Sequence, residues 1–166
     1  MSPDATPTEY VQAVAPLARE AQRRFGIPAS VAIAQSALET GWGKSENAQK
    51  ANNYFGMRTG SATSDPFWNG DAFNGWRKYR RPLDSFLDWA YGFYTYAGYR
   101  DALVFRGDPT AFVLAEAPVY APPSDGNPDY AARVLNILSS YDLARFDLPA
   151  SQLALDPNLV PPEYRA

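Results

Sequence analysis

Carboxyl, hydroxyl and amine groups must carry any proton transfer in this chain, because its 166 residues include no His and no Cys. That composition excludes Ser-His-Asp and Cys-His catalytic systems, most zinc sites and any disulfide framework. Glu39 is the strongest candidate for an acid, since it lies in the last turn of a predicted helix, just before Gly41 and Gly43. The negative end of a helix dipole disfavours the carboxylate, and Lys or Arg is the usual charged residue there. A catalytic acid and a solvated charge on the helix surface both fit this position.

A carboxylic acid that stays protonated near neutral pH can protonate the leaving oxygen of a glycosidic bond, while a second group acts as nucleophile, base or electrostatic stabiliser. The helix predicted over residues 28–39 has a core-facing stripe formed by Ile27, Val31, Ala34 and Leu38. Glu39 lies about 100° from the middle of this stripe, next to Gln35 one turn earlier. A side chain at that border can be partly desolvated and still reach a cleft.

The hydrophobic pattern predicts a mainly α-helical domain with a small β-hairpin lobe. Pro16 is expected to kink or split the first of five helical patterns. These patterns cover residues 8–25, 28–39, 83–96, 109–117 and 128–141. The lobe is expected within residues 44–82, where Asn-Gly pairs separate short aromatic segments. We expect a flexible leader over residues 1–7, one domain over 8–144, and an extended Pro-rich tail over 145–166.

Four segments resemble blocks of one known family, and they occur in the order of that family. They are residues 34–45 (AQSALETGWGKS), 52–57 (NNYFGM), 76–79 (WRKY), and 120–131, which begins Tyr-Ala and ends Asp-Tyr-Ala. Together with the helices between them, they cover roughly residues 9–144. By these segments the chain resembles the N-acetylglucosaminidases of glycoside hydrolase family 73, which include flagellar muramidase-like domains and many autolysins.

The resemblance implies a lysozyme-like fold of the α+β type, mainly helical, with Glu39 as the general acid. It also implies a tyrosine near the active centre, at Tyr120 or Tyr130. The second carboxylate of the family lies in the β-lobe, before the Trp-Arg-Lys-Tyr block. This chain offers Asp65, which we favour, or Asp71 at that place. The resemblance implies no metal ion and no organic cofactor.

Flat aromatic side chains in the lobe can stack on the apolar faces of sugar rings, although packing of the lobe itself would also explain them. The predicted substrate-binding residues are Gln35, Tyr54, Trp68, Trp76, Tyr79 and Tyr130. The dense basic cluster within residues 77–81 suits either an anionic polymer or a solvated turn.

The leading hypothesis is hydrolysis of peptidoglycan glycan strands after N-acetylglucosamine. Either an Asp activates water, or the 2-acetamido group of the substrate attacks first. A lytic transglycosylase of the same fold and an inactive glycan-binding module are the alternatives.

Partners and location follow from composition and from the resemblance. The net charge of −3 argues against a nucleic-acid partner, and no apolar run is long enough for membrane insertion. We expect a monomer that acts on the bacterial cell wall, in an extracellular or periplasmic setting. No signal peptide is visible, which fits a phage lysin, a toxin or an autolysin without its leader.

Overall fold

The computed structural model describes residues 1–60, 65–126 and 128–165. Within those residues the chain forms seven α-helices and one antiparallel two-stranded sheet. The helices are α1 (Pro7–Phe25), α2 (Ala29–Thr40), α3 (Glu46–Ala51), α4 (Pro82–Thr95), α5 (Arg100–Leu103), α6 (Pro109–Tyr120) and α7 (Tyr130–Ser140). The strands are β1 (Ala72–Phe73) and β2 (Trp76–Arg77). The prediction of a mainly helical domain with a small hairpin lobe is confirmed.

Helix α1 begins at a capping box. The Thr6 hydroxyl oxygen accepts a hydrogen bond from Glu9 N at 3.2 Å, and Thr6 N donates to the Glu9 carboxylate at 2.8 Å. The helix ends at Gly26, whose φ of 76° is the left-handed conformation that favours glycine. The predicted split at Pro16 is wrong, because α1 continues through this residue. Pro16 and Gln12, whose carbonyl loses its helical partner there, are both exposed, so water can take the missing hydrogen bond.

Helix α2 is the central element of the domain. Helices α1, α6 and α7 pack against it, and every residue from 29 to 37 is buried. The four residues of the expected stripe pack against the core, but the buried surface of α2 extends well beyond them. Small side chains such as Ala29, Ala32 and Ala34 let neighbouring helices approach α2 on several sides. As a result, α2 becomes exposed to solvent only in its last turn, which carries Glu39.

A β-hairpin forms the small lobe. Strands β1 and β2 are joined by Asn74 and Gly75, whose φ angles are 50° and 84°. Positive φ at both central residues is typical of a type I′ turn, for which Asn-Gly is the preferred sequence. A further bridge between Arg58 and Trp76 joins the lobe to the segment that follows α3. The hairpin predicted from the Asn-Gly pair is confirmed.

The C-terminal segment, residues 145–165, packs against the helices. Val160 is buried, and Asp156 forms an ion pair with Arg24 at 3.0 Å. Asp147 accepts hydrogen bonds from Ser30 N and Ser30 Oγ, each at 2.7 Å, at the first turn of α2. This turn lies about 14 Å along the helix axis from the last turn of α2. The anchor at Asp147 is thus at the opposite end of α2 from the candidate acid.

None of the described helices combines the length and the apolar character needed to cross a bilayer. In the same part of the chain, no group of three or more His, Cys, Asp or Glu side chains is arranged to hold a metal ion.

Candidate active site

The turn that ends α2 carries the candidate acid. Gly41 and Trp42 have positive φ angles of 57° and 63°, so the chain leaves the helical path directly after Thr40. The Thr40 hydroxyl donates to a carbonyl one turn earlier at 2.6 Å and accepts from Gly43 N at 2.7 Å. These two bonds fix the turn. Glu39 therefore lies on a well-defined helix end, with its side chain exposed.

The Glu39 carboxyl group lies against the loop that follows α3. A Cβ atom added at Gly56 would be 2.5 Å from Glu39 Oε1, so a larger residue there would displace the carboxyl group from its present position. The φ of +64° at Gly56 also favours glycine. Desolvation by the surrounding protein raises the pKa of Glu39 above the ordinary value for Glu. The side chain is crowded by protein on one side and open to solvent on the other, which suits a group that must keep a proton and reach a substrate.

Asn53 organises this loop from inside. Its side chain is 0% exposed, and its Nδ2 donates to Met57 O and to Arg77 O, each at 2.9 Å. Its Oδ1 accepts from Met57 N at 3.1 Å. These bonds tie the loop to strand β2 and set the position of Gly56 beside Glu39. Asn53 is not among the predicted site residues, although it lies within residues 52–57, one of the blocks that resemble the family.

Two stacked tyrosines form another wall of the site. The rings of Tyr120, at the end of α6, and Tyr130, at the start of α7, have centroids 5.6 Å apart and planes inclined by 25°. Tyr120 OH donates to Phe55 O at 2.6 Å, and Gln35 Nε2 donates to Tyr130 OH at 3.0 Å. Burial is the largest cause that raises the pKa of Tyr120, and the proximity of Glu39 is among the further causes. The fold thus brings Gln35, Tyr120 and Tyr130 together next to Glu39.

Asp65 lies in a buried group of charges within the lobe. Its Oδ2 is 2.5 Å from an Arg77 guanidinium nitrogen, and its Oδ1 accepts from Phe67 N at 2.9 Å. The same guanidinium group is 2.8 Å from Asp88 Oδ2, which also accepts a hydrogen bond from Tyr79 OH. Burial, followed by the neighbouring Asp65 carboxyl group, raises the pKa of Asp88 to about 7. Both carboxylate oxygens of Asp65 therefore have partners within the lobe, and Arg77 links Asp65 to Asp88 on α4.

Asp71, the alternative second carboxylate, lies on the surface of the lobe. Its side chain is exposed, and its Oδ2 accepts a hydrogen bond from Asn69 Nδ2 at 3.0 Å. Its carbonyl oxygen accepts from Trp68 Nε1 at 2.7 Å and from Lys78 N at 2.9 Å. These contacts are those of a residue that shapes the hairpin.

Four of the predicted substrate-binding residues are buried, and Tyr130, at 6% exposed, is one of them. Tyr54 and Tyr79 are each 2% exposed, and Gln35 is 0% exposed. A ring that is buried on both faces cannot stack on a sugar. We therefore reassign Tyr54 and Tyr79 from substrate binding to packing. Gln35 holds Tyr130 instead of facing solvent.

The two tryptophans of the lobe remain partly exposed. The Arg58 guanidinium carbon lies 4.3 Å from the Trp76 ring centroid, and that of Arg77 lies 4.5 Å from the Trp68 ring centroid. These cation–π contacts hold both indole rings in place. Trp68 and Trp76 therefore stay the aromatic candidates for contact with a sugar.

Comparison with known proteins decides the family. Residues 15–143 match the family model named Glucosaminidase and described as mannosyl-glycoprotein endo-beta-N-acetylglucosaminidase. The chain belongs to this family. The glucosaminidase domain is thus a member of glycoside hydrolase family 73, as the four sequence blocks indicated.

Two curated relatives and one solved structure are similar to the glucosaminidase domain. An autolysin of Enterococcus faecalis is 29% identical over 91% of this chain and 22% of its own length. The peptidoglycan hydrolase FlgJ of Vibrio parahaemolyticus is 28% identical over 80% of this chain and 46% of its own length. The chain thus spans less than half the length of these two relatives.

The solved structure shows the fold. The catalytic domain of the autolysin Auto from Listeria monocytogenes superposes with a TM-score of 0.65 at 22% identity. The match covers 89% of this chain and 91% of that domain. The lysozyme-like fold expected from the sequence is confirmed.

Proposed function

We propose that this domain hydrolyses the β-1,4 glycosidic bonds of peptidoglycan after N-acetylglucosamine, with Glu39 as the general acid. The observation that carries the proposal is the setting of the Glu39 carboxyl group. It is exposed at the end of α2, yet Gly56 and the surrounding protein desolvate it and raise its pKa. The names of the relatives, an autolysin and a peptidoglycan hydrolase, support the cell wall as the place of action.

The first step is proton transfer to the leaving group. Glu39 donates its proton to the glycosidic oxygen as the bond from C1 to that oxygen breaks. The pKa shift helps this step, because an ordinary Glu would already be ionised near neutral pH. Tyr120, whose hydroxyl donates to Phe55 O, holds the Gly56 loop in place beside the carboxyl group.

The second group is proposed to be the substrate itself. The 2-acetamido oxygen attacks C1 as the leaving group departs, which gives a cyclic oxazolinium ion. Glu39, now a carboxylate, takes a proton from water while the water oxygen bonds to C1 and reopens the ring. The engagement of both Asp65 oxygens by Arg77 and Phe67 supports this route over direct activation of water by Asp65.

Mass spectrometry of digested peptidoglycan tests the reaction. The proposal predicts fragments with reducing N-acetylglucosamine ends. Anhydromuramic ends would identify a lytic transglycosylase, and intact glycan would identify a binding module. A thiazoline analogue of the cyclised acetamido group should inhibit the enzyme, whereas a lack of inhibition would favour water activated by Asp65.

A further inference from the structure

Arg77 connects the lobe to the loop that lies against Glu39. The residue is 3% exposed, and its side-chain Nε donates a hydrogen bond to Arg58 O at 3.0 Å. Its backbone N donates to Met57 O at 2.9 Å. Arg77 therefore bonds to both of the residues that follow Gly56, to one through its backbone and to the other through its side chain.

Two carboxyl groups hold the guanidinium group in place. Arg77 Nη1 lies 2.5 Å from Asp65 Oδ2 and 2.8 Å from Asp88 Oδ2. Asp88 lies on α4, is 2% exposed, and also accepts a hydrogen bond from Tyr79 OH. The guanidinium carbon lies 4.5 Å from the Trp68 ring centroid. Charge-assisted hydrogen bonds in a buried setting are strong and directional, so these contacts aim the Nε–H at the loop.

The position of this loop matters because Gly56 is crowded against the Glu39 carboxyl group. A Cβ atom at Gly56 would be 2.5 Å from Glu39 Oε1, so the backbone there lies close to the carboxyl group. A displacement of the loop by about 1 Å would change both the desolvation and the orientation of that group. Arg58, whose carbonyl oxygen Arg77 holds, lies only two residues along the chain from Gly56.

We propose that Arg77 is a positioning residue: its side chain, held by Asp65 and Asp88, fixes the Gly56 loop against Glu39. It acts through the loop and not on the reacting atoms. The inference rests on the proposed function, because the residue that it serves is the proposed general acid. It also separates Arg77 from the rest of the basic cluster within residues 77–81, since this cation is buried in the lobe.

Arg77→Lys separates this role from simple charge pairing. The Lys ammonium group keeps the positive charge beside Asp65 and Asp88, but Lys has no counterpart of the Nε–H, so the bond to Arg58 O is lost. We expect kcat on soluble peptidoglycan fragments to fall about tenfold, with KM little changed. A looser loop also lets water reach the Glu39 carboxyl group and lowers its pKa, so the alkaline limb of the kcat/KM profile should move to lower pH.

Two control variants separate positioning from a general loss of stability or charge. Asp147→Ala lowers stability at the first turn of α2, and Arg81→Lys changes an arginine of the same cluster whose side chain is 63% exposed. Both should keep the alkaline limb of wild type. The titratable groups on α6 and α7 that interact with Glu39 are Tyr120 and Tyr130, and burial raises the pKa of both, so they stay neutral across this range.

Wild-type kcat and an unmoved alkaline limb in Arg77→Lys would overturn the proposal. Asp88→Ala serves where the Lys variant does not fold, because Arg77 then keeps its pair with Asp65 and loses only the anchor on α4. The limb should move in the same direction by a smaller amount, and an unmoved limb in this variant would also overturn the proposal. Failure of the proposed function would appear differently, as wild-type protein that releases no reducing ends.

Discussion

At the scale of single residues, Glu39 has the surroundings that a general acid requires. Gly56 lies against its carboxyl group, Tyr120 forms a second wall, and the outer side of the side chain stays exposed. The raised pKa follows from desolvation, which disfavours the charged form. The candidate partners among the acidic residues have different surroundings, since Asp65 is paired with Arg77 and Asp71 lies on the hairpin surface.

The pH dependence of kcat/KM should report the ionisation of Glu39. Because the proposed reaction needs the protonated carboxyl group and its pKa is raised, activity should persist above the ordinary value of 4.5. It should then fall as the pH rises through the raised pKa. The profile is measured on soluble peptidoglycan fragments. An alkaline limb centred at about 4.5 would mean that the acid is a carboxyl group with an unperturbed pKa.

At the scale of elements, the end of α2 and the loop after α3 make the site together. Asn53 ties the loop to β2, and the resulting backbone places Gly56 in a left-handed conformation against Glu39. Position 56 therefore favours glycine for two reasons: its φ is positive, and the Glu39 carboxyl group occupies the space that a side chain would need.

Gly56→Ala is predicted to abolish most activity in a folded protein. The new Cβ would lie 2.5 Å from Glu39 Oε1 and displace the carboxyl group, which we expect to reduce kcat by about a hundredfold. Gly70→Ala is the matched control, because Gly70 also has a positive φ, 95°, but has no atom within 4 Å of the added Cβ. Both variants carry backbone strain of about 1–2 kcal/mol, seen as similar losses of Tm. Equal activity in the two would show that the Gly56 contact is unimportant.

At the scale of the whole molecule, we expect the residue that acts in catalysis and the residues that stabilise α2 to lie at opposite ends of this helix. The last turn carries Glu39, while the first turn is held by Asp147 from the C-terminal segment. The intervening residues 29–37 are buried, so α2 acts as a rigid connection between the two ends.

Asp147→Ala should lower stability without lowering the rate. The substitution removes both acceptors of the Ser30 hydrogen bonds at the start of α2. A loss of about 1–2 kcal/mol in the free energy of unfolding is expected, as for removal of a helix cap. Urea unfolding measures it, with the exposed Asp101→Ala as the control. An unchanged free energy of unfolding, or a large fall in kcat well below the Tm, would contradict the separation of the two ends.

The sequence predicted those features that depend on neighbours along the chain. The Asn74-Gly75 turn and the position of Glu39 at a helix end follow from local conformational preferences. The sequence could not predict contacts between distant segments, such as the hydrogen bond from Tyr120 to Phe55 O. The sequence also did not predict that Tyr79 is buried, because an aromatic side chain in a short lobe can either pack inside the lobe or lie on its surface.

The measurement that tests the role of Glu39 most directly is the rate of reducing-end release by Glu39→Gln on purified peptidoglycan. The amide keeps the size of the side chain but cannot act as the acid, so the rate should fall by about 10²- to 10⁴-fold with no loss of Tm. Glu46→Gln is the control, because Glu46 is exposed and its ion pair with Lys50 lies on the surface. Equal rates for wild type and Glu39→Gln would contradict the assignment of Glu39 as the general acid.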